Sequence, residues 1–173
     1  MQVYRIQEDR RCHLRCGSRK PKIKINSTTK PEESLLKFLR RNGFAEVKCG
    51  CEKGECGTCT VILNKKAVKS CIVLALQAKN KEVWTVKGME KLELGRKLQE
   101  SFVNHGAIQC GFCTPGMILA AKDYMDKNPI PDKEEIKKAI SGNLCRCTGY
   151  KKIVDAIYDV AIENYKLEGD INV

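Results

Sequence analysis

Cys49-Gly50-Cys51-Glu52-Lys53-Gly54-Glu55-Cys56-Gly57-Thr58-Cys59-Thr60-Val61-Ile62-Leu63-Asn64-Lys65-Lys66-Ala67-Val68-Lys69-Ser70-Cys71 is the stretch that decides how this chain folds. Cys51, Cys56 and Cys59 stand at C-x4-C-x2-C, and Cys71 follows a short apolar run. That is the ligand spacing of a plant-type [2Fe-2S] cluster. The chemistry needs a loop that folds back to aim three thiolates at a two-iron core, while a fourth arrives from another segment. Gly50, Gly54 and Gly57 suit such a loop, because glycine reaches positive φ and lets backbone amides approach sulfur closely. The alternatives are a zinc site or unrelated buried thiols. Zinc knuckles favour C-x2-C pairs, and free core cysteines do not crowd into Gly/Glu/Lys sequence.

Outward from this stretch, Val3-Tyr4-Arg5-Ile6 and Lys22-Ile23-Lys24-Ile25 alternate as strands do, and the pair suggests a hairpin around a basic loop. A helix is predicted next. Pro31 lies near its first turn, Glu32 and Glu33 at its positive end, Leu35, Leu36 and Leu39 on one face, and Gly43 at its stop. Thr60–Leu63 reads as a buried strand, Asn64-Lys65-Lys66 as a turn, and Val83–Val86 as a further strand. The run from Cys71 to Ala78 is ambiguous between helix and strand on periodicity alone. These elements make a compact α+β first domain over residues 1–87.

Residues 88–173 read as helical. Leu92, Leu94, Leu98, Phe102 and Val103 line one helix that Gly106 ends. Thr114-Pro115 reads as a cap and first helical position, with Met117, Ile118, Ala121, Tyr124 and Met125 continuing the apolar face. Asp132 and Glu135 resemble a capping box, and a last helix runs from Tyr150 to about Tyr165. Four helices with short connections imply a small bundle.

The loops of that half carry a second set of thiols, in Gln109-Cys110-Gly111-Phe112-Cys113-Thr114-Pro115-Gly116 and Gly142-Asn143-Leu144-Cys145-Arg146-Cys147-Thr148-Gly149-Tyr150. Each motif precedes a predicted helix, so four sulfurs are expected where two helix N-termini converge, in the field that favours thiolates. Four sulfurs also suit zinc. Beside the plant-type spacing, two [2Fe-2S] clusters are the better account.

The combination of C-x4-C-x2-C…C with Q-C-G-F-C-T-P-G and G-N-L-C-R-C-T-G-Y resembles the iron-sulfur small subunit of the molybdenum hydroxylases, the xanthine dehydrogenase and aldehyde oxidase family. The resemblance covers roughly Lys22 to Tyr165. It implies a β-grasp ferredoxin domain followed by a four-helix domain. It assigns Cys51, Cys56, Cys59 and Cys71 to an outer cluster nearer a flavin, and Cys110, Cys113, Cys145 and Cys147 to an inner one nearer molybdenum. It also places Gln109 and Cys147 next to the pterin, although Gln109 reads more plainly as a helix-terminus side chain. The implied partners are a large subunit binding a molybdopterin cofactor and a medium subunit binding FAD, in a hetero-oligomer. In that setting the chain relays electrons and turns over no substrate itself. The substrate, whether purine, aldehyde or N-heterocycle, stays open, because its pocket would lie in the molybdenum subunit.

Two departures stand out. A basic loop carries Cys12, His13 and Cys16, and Cys49 stands where the family commonly has another residue. Unliganded thiols are the simpler reading, with an additional metal site as the alternative. His105 is expected to interact with free carbonyls at a helix end, and Trp84 to belong to core or interface.

Composition narrows the alternatives. With 11 cysteines in 173 residues and no apolar h-region after Met1, a reducing cytoplasm is expected, where clustered thiols mean metal or redox work. No apolar run approaches the length that spans a bilayer. The formal charge is +11, but its lysines and arginines are mixed with acids, which favours a solvated surface or an acidic protein partner over nucleic acid. Two rival functions remain: a free-standing two-cluster ferredoxin-like carrier, and a zinc-stabilised basic module that binds nucleic acid.

Overall fold

The computed structural model describes residues 4–5, 29–128 and 130–170. Val3, Ile6 and Lys22–Ile25, and with them the expected hairpin, lie outside the described residues, as do Cys12, His13 and Cys16. Tyr4–Arg5 (β1) pairs antiparallel with Glu82–Trp84 (β4). The sheet runs β1-β4-β2-β3, where β2 is Thr60–Leu63 and β3 is Lys66–Lys69. Asn64 and Lys65 join β2 to β3 with φ of 45° and 66°, the left-handed pair that matches strand twist in a two-residue hairpin. β3 was not expected, and Lys66 belongs to it rather than to the turn.

The first helix, α1, is Leu35–Arg41. It begins later than the sequence suggested. Ser34 caps it by accepting from Lys37 N, while Pro31, Glu32 and Glu33 precede it, and Glu33 reaches past the helix to pair with Arg41 at 2.8 Å. The ambiguous run after β3 is neither helix nor strand but two 3-10 turns, Ser70–Ile72 and Ala75–Ala78.

A one-turn helix, Val86–Met89 (α2), leads into Glu93–Asn104 (α3), Thr114–Met125 (α4), Lys133–Ile140 (α5) and Lys151–Asp170 (α6). Thr114 is the first residue of α4, and the cap position belongs to Cys113. Asp132 caps α5 through Glu134 N. His105 ends α3 with Nδ1 2.9 Å from Ser101 O, the expected helix-end role, and its Nε2 lies 2.9 Å from Asp159 on α6.

Two cores result, and β2 shows why they are adjacent. Successive strand side chains point to opposite faces. Val61 enters a core built from Leu35, Leu36, Phe38, Leu39 and Val83, whereas Ile62 enters the helical core of Leu98, Phe102, Met117, Ile136 and Ile157. Each fully buried Leu or Phe in them contributes roughly 1.5–3 kcal/mol. Met117, Ile118, Leu119, Ala120 and Ala121 are all buried, so α4 is enclosed on every side and lies central to its half. Trp84 packs half-buried against the same core.

A junction of two paired-thiol sites

The hairpin register explains the first site. Thr60 opposes Lys69, so Cys59 just before β2 and Cys71 just after β3 emerge at one end of the ribbon. Ser70 locks that end by donating both its N–H (3.3 Å) and its hydroxyl (2.7 Å) to Cys59 O. Cys59 and Cys71 hydrogen-bond through their side chains. Burial, with this bond added, pushes the Cys71 thiol up to about 11.

Cys51 and Cys56 form the other pair. The loop between them turns on left-handed residues, Glu52 at φ 55° and Gly54 at φ 81°. The turn aims backbone N–H groups of Lys53, Glu55 and Cys56 at Cys51 Sγ, at 3.3, 3.4 and 3.4 Å. These donors, Cys56 and Lys53 foremost, pull the Cys51 thiol down to about 6. A Cβ on Gly50 would stand 2.9 Å from Cys56 Sγ, which is why that position holds glycine.

The second site is built the same way from the helical half. Cys147 Sγ lies 3.6 Å from Cys110 Sγ, and Cys113 hydrogen-bonds Cys145. Cys113 is buried and its thiol is pushed up to about 12 by that burial and by Cys145; Cys110 and Cys147 are exposed. Cys145 N donates to Tyr150 Oη at 2.8 Å, and Gly149 and Tyr150 take φ of 68° and 67° to return the chain to α6. Gln109 is exposed beside Cys110.

The donor arrangement suits a two-iron cluster. Two thiolates on one tetrahedral metal with bonds of ~2.3 Å stand about 3.8 Å apart, and a structural zinc gathers four such donors around a single point. Here the sulfurs come in pairs, Cys51 with Cys56, Cys59 with Cys71, Cys110 with Cys147 and Cys113 with Cys145. Paired thiols, two pairs to a site, are the donor set of a two-iron cluster. Cys49 makes a different contact: its thiol donates to Glu52 Oε1 at 3.3 Å, and it packs against the core that holds Cys59.

Iron must displace the protons that buried thiols retain. Below a thiol's pKa a proton has to leave before sulfur binds metal, so affinity rises with pH up to that pKa and falls as pH drops. As ligands, Cys71 and Cys113, held to about 11 and about 12, would keep this dependence in force across neutrality. Iron retained after reconstitution of the apo chain against a fixed chelator is expected to fall steadily as pH is lowered from about 8.5 to about 6.5.

The two sites touch. Leu144 N donates to Cys56 O at 2.9 Å, and Asn143, only 5% exposed, donates Nδ2 to Gly57 O at 3.0 Å. Sequence reasoning quoted Asn143 within its motif and gave it no role, because its partner lies 86 residues away. Asn143→Ala removes this bond while Gly57 O keeps Thr60 N and Oγ1 as donors, and is expected to cost about 1 kcal/mol, a Tm fall of about 2–4 °C by calorimetry.

Two separate paired-thiol sites on a ferredoxin-like half and a helical half define a two-cluster iron–sulfur protein. Family models agree: a 2Fe-2S iron-sulfur cluster binding domain matches residues 22–84, and a [2Fe-2S] binding domain matches residues 85–158. The nicotinate dehydrogenase small FeS subunit of Eubacterium barkeri is 52% identical over 130 residues, 75% of this chain and 83% of that one. The xanthine dehydrogenase iron-sulfur-binding subunit of Escherichia coli O157:H7 is 42% identical over 132 residues, 75% and 82% of the two chains. Among solved structures, a chain of quinoline 2-oxidoreductase from Pseudomonas putida 86 superposes with a TM-score of 0.74 at 43% identity, covering 79% of this chain and 86% of that one. The chain belongs to the small iron–sulfur subunits of the molybdenum hydroxylases. It is the electron-transfer part of an oxidoreductase complex and carries two [2Fe-2S] clusters.

Proposed function

We propose that Cys51, Cys56, Cys59 and Cys71 hold the outer cluster, on the flavin side, and that Cys110, Cys113, Cys145 and Cys147 hold the inner one, on the molybdenum side. When bound, each cluster accepts and releases one electron at a time, so a two-electron oxidation at the molybdopterin centre passes singly to FAD. The chain's own part is to hold the sulfurs, donate amides to them and exclude water, which together set the potentials. Residues 1–87 form the β-grasp ferredoxin domain and residues 88–173 the four-helix domain.

The observation that carries the assignment of sides is the exposed edge of the inner site. Cys110, Cys147 and Gln109 are open to solvent, as are their chain neighbours Ile108, Phe112 and Leu144, whereas Cys113 is buried. Exposed apolar side chains next to proposed ligands fit a covering protein. The molybdopterin-binding large subunit takes this edge, with Gln109 and Cys147 at the pterin, and an FAD-binding medium subunit meets the outer site. None of the nine described cysteines is in a disulfide, as expected in a reducing cytoplasm, and among the described residues no helix is long and apolar enough to cross a membrane.

Purification of the tagged chain from its native host tests the assembly. Recovery with two larger polypeptides carrying molybdenum and FAD is expected. Recovery of an iron-loaded chain by itself would instead make it a free-standing carrier. For the assignment of sides, Gln109→Ala in the complex should slow reduction of the inner cluster by substrate and leave flavin reoxidation unchanged.

A further inference from the structure

Among the described residues, two of the eight proposed ligand sulfurs meet a side-chain hydroxyl. Thr58 Oγ1 lies 3.3 Å from Cys56 Sγ, and Thr148 Oγ1 lies 3.1 Å from Cys145 Sγ. One such hydroxyl serves each site. A cysteine bound to iron is a thiolate without a proton, so in both pairs the hydroxyl is the donor. The environments suit a firm bond. Thr58 is 5% exposed, and Gly50 leaves room for its oxygen, since a Cβ there would stand 2.8 Å from Thr58 Oγ1. Thr148 Oγ1 accepts from Tyr150 N at 3.4 Å, which leaves its own proton for Cys145.

The placement is specific as well. Cys56 O accepts from Leu144 N, the residue directly before Cys145, so the two hydroxyl-bonded cysteines belong to the segments through which the sites touch.

We propose that Thr58 and Thr148 are the residues that separately set the reduction potentials of the outer and inner clusters; this rests on the ligand assignment above. Reduction adds one electron, converts one ferric iron to ferrous, makes and breaks no bond and takes up no proton. The reduced site carries one more negative charge. A hydroxyl donating to a ligand sulfur stabilises that charge and raises the potential, more strongly where water is excluded. Removing one hydroxyl alters the step between the sites in a chosen direction: loss at Thr58 makes the outer site a poorer acceptor, and loss at Thr148 makes the inner site a stronger donor.

The test is an EPR-monitored redox titration of the purified complex. Thr148→Val is expected to move the inner midpoint negative and leave the outer one in place, Thr58→Val to do the reverse, and Thr148→Ser and Thr58→Ser to restore the wild-type values. Unmoved midpoints in the valine variants at full iron content would overturn the proposal, as would serine variants shifted as far as valine. Should a valine variant fail to assemble, the serine and alanine variants supply the same comparison. Cys145→Ser separates the two levels. If it leaves both EPR signals intact, the ligand assignment falls; if it removes one signal while the threonine variants do not shift, only the role of the hydroxyls falls.

Discussion

Gly57→Ala lowers the melting temperature by about 6–12 °C, the size expected from a loss of about 3 kcal/mol in a chain of this length. Two independent terms contribute. Gly57 holds φ of 68°, where an L side chain costs roughly 1–2 kcal/mol. A Cβ there would also stand 2.4 Å from Gly142 O and 2.8 Å from Asn143 Cα. Those are backbone atoms of the loop that carries Cys145, so no flexible chain end can swing aside. Relief requires the two cluster loops to part, which breaks the Asn143 to Gly57 O bond and stretches the Leu144 to Cys56 contact. Gly43→Ala is the control: φ is 89°, yet nothing lies within 4 Å of the added carbon, so only the backbone cost of about 1–2 kcal/mol applies. Scanning calorimetry on both variants decides the matter. Equal losses would show that the loops are not in close contact.

Cys59→Ser has the larger chemical effect. Cys59 is 2% exposed, its carbonyl is held by Ser70, and its thiol pairs with Cys71. Serine keeps the size but replaces a soft thiolate with a hydroxyl that binds iron poorly. Iron is expected to fall from about four to about two atoms per chain, with one of two reduced-cluster EPR signals lost and the other unchanged. The helical site should persist because its sulfurs come from loops anchored by α4 and α6, whose core does not include Cys59. Loss of both signals in a folded chain would contradict independent sites.

The candidate sulfur sets were legible because ligand spacing is a local property: C-x4-C-x2-C, C-x2-C and C-x-C are read along the chain without knowing the fold. Helix faces were legible for the same reason. What escaped was local structure without periodicity, and contacts between distant segments. Lys66-Ala67-Val68-Lys69 is too short, with only two apolar residues between lysines, to stand out as β3, and it pairs because Asn64 and Lys65 turn the chain back. Pro31-Glu32-Glu33 carries helix-start residues, but Ser34 supplies the actual cap, and Glu33 serves Arg41 from outside the helix. The apolar Cys71–Ala78 run forms no regular element because the Cys71 turn must return to Cys59. Asn143, Gly57 and Gly116 were missed as a unit. Gly116 opposes Gly57 so closely that a Cβ would lie 2.4 Å from Gly57 O. No residue pattern announces which glycines will meet.

The electron-relay account depends above all on two clusters of two irons each. The most direct measurement is iron, acid-labile sulfide and zinc, with the visible spectrum, on anaerobically purified protein. About four irons and four sulfides per chain, in red-brown protein without stoichiometric zinc, is the predicted result. Colourless protein holding stoichiometric zinc, and keeping it through anaerobic reconstitution with iron and sulfide, would contradict the account.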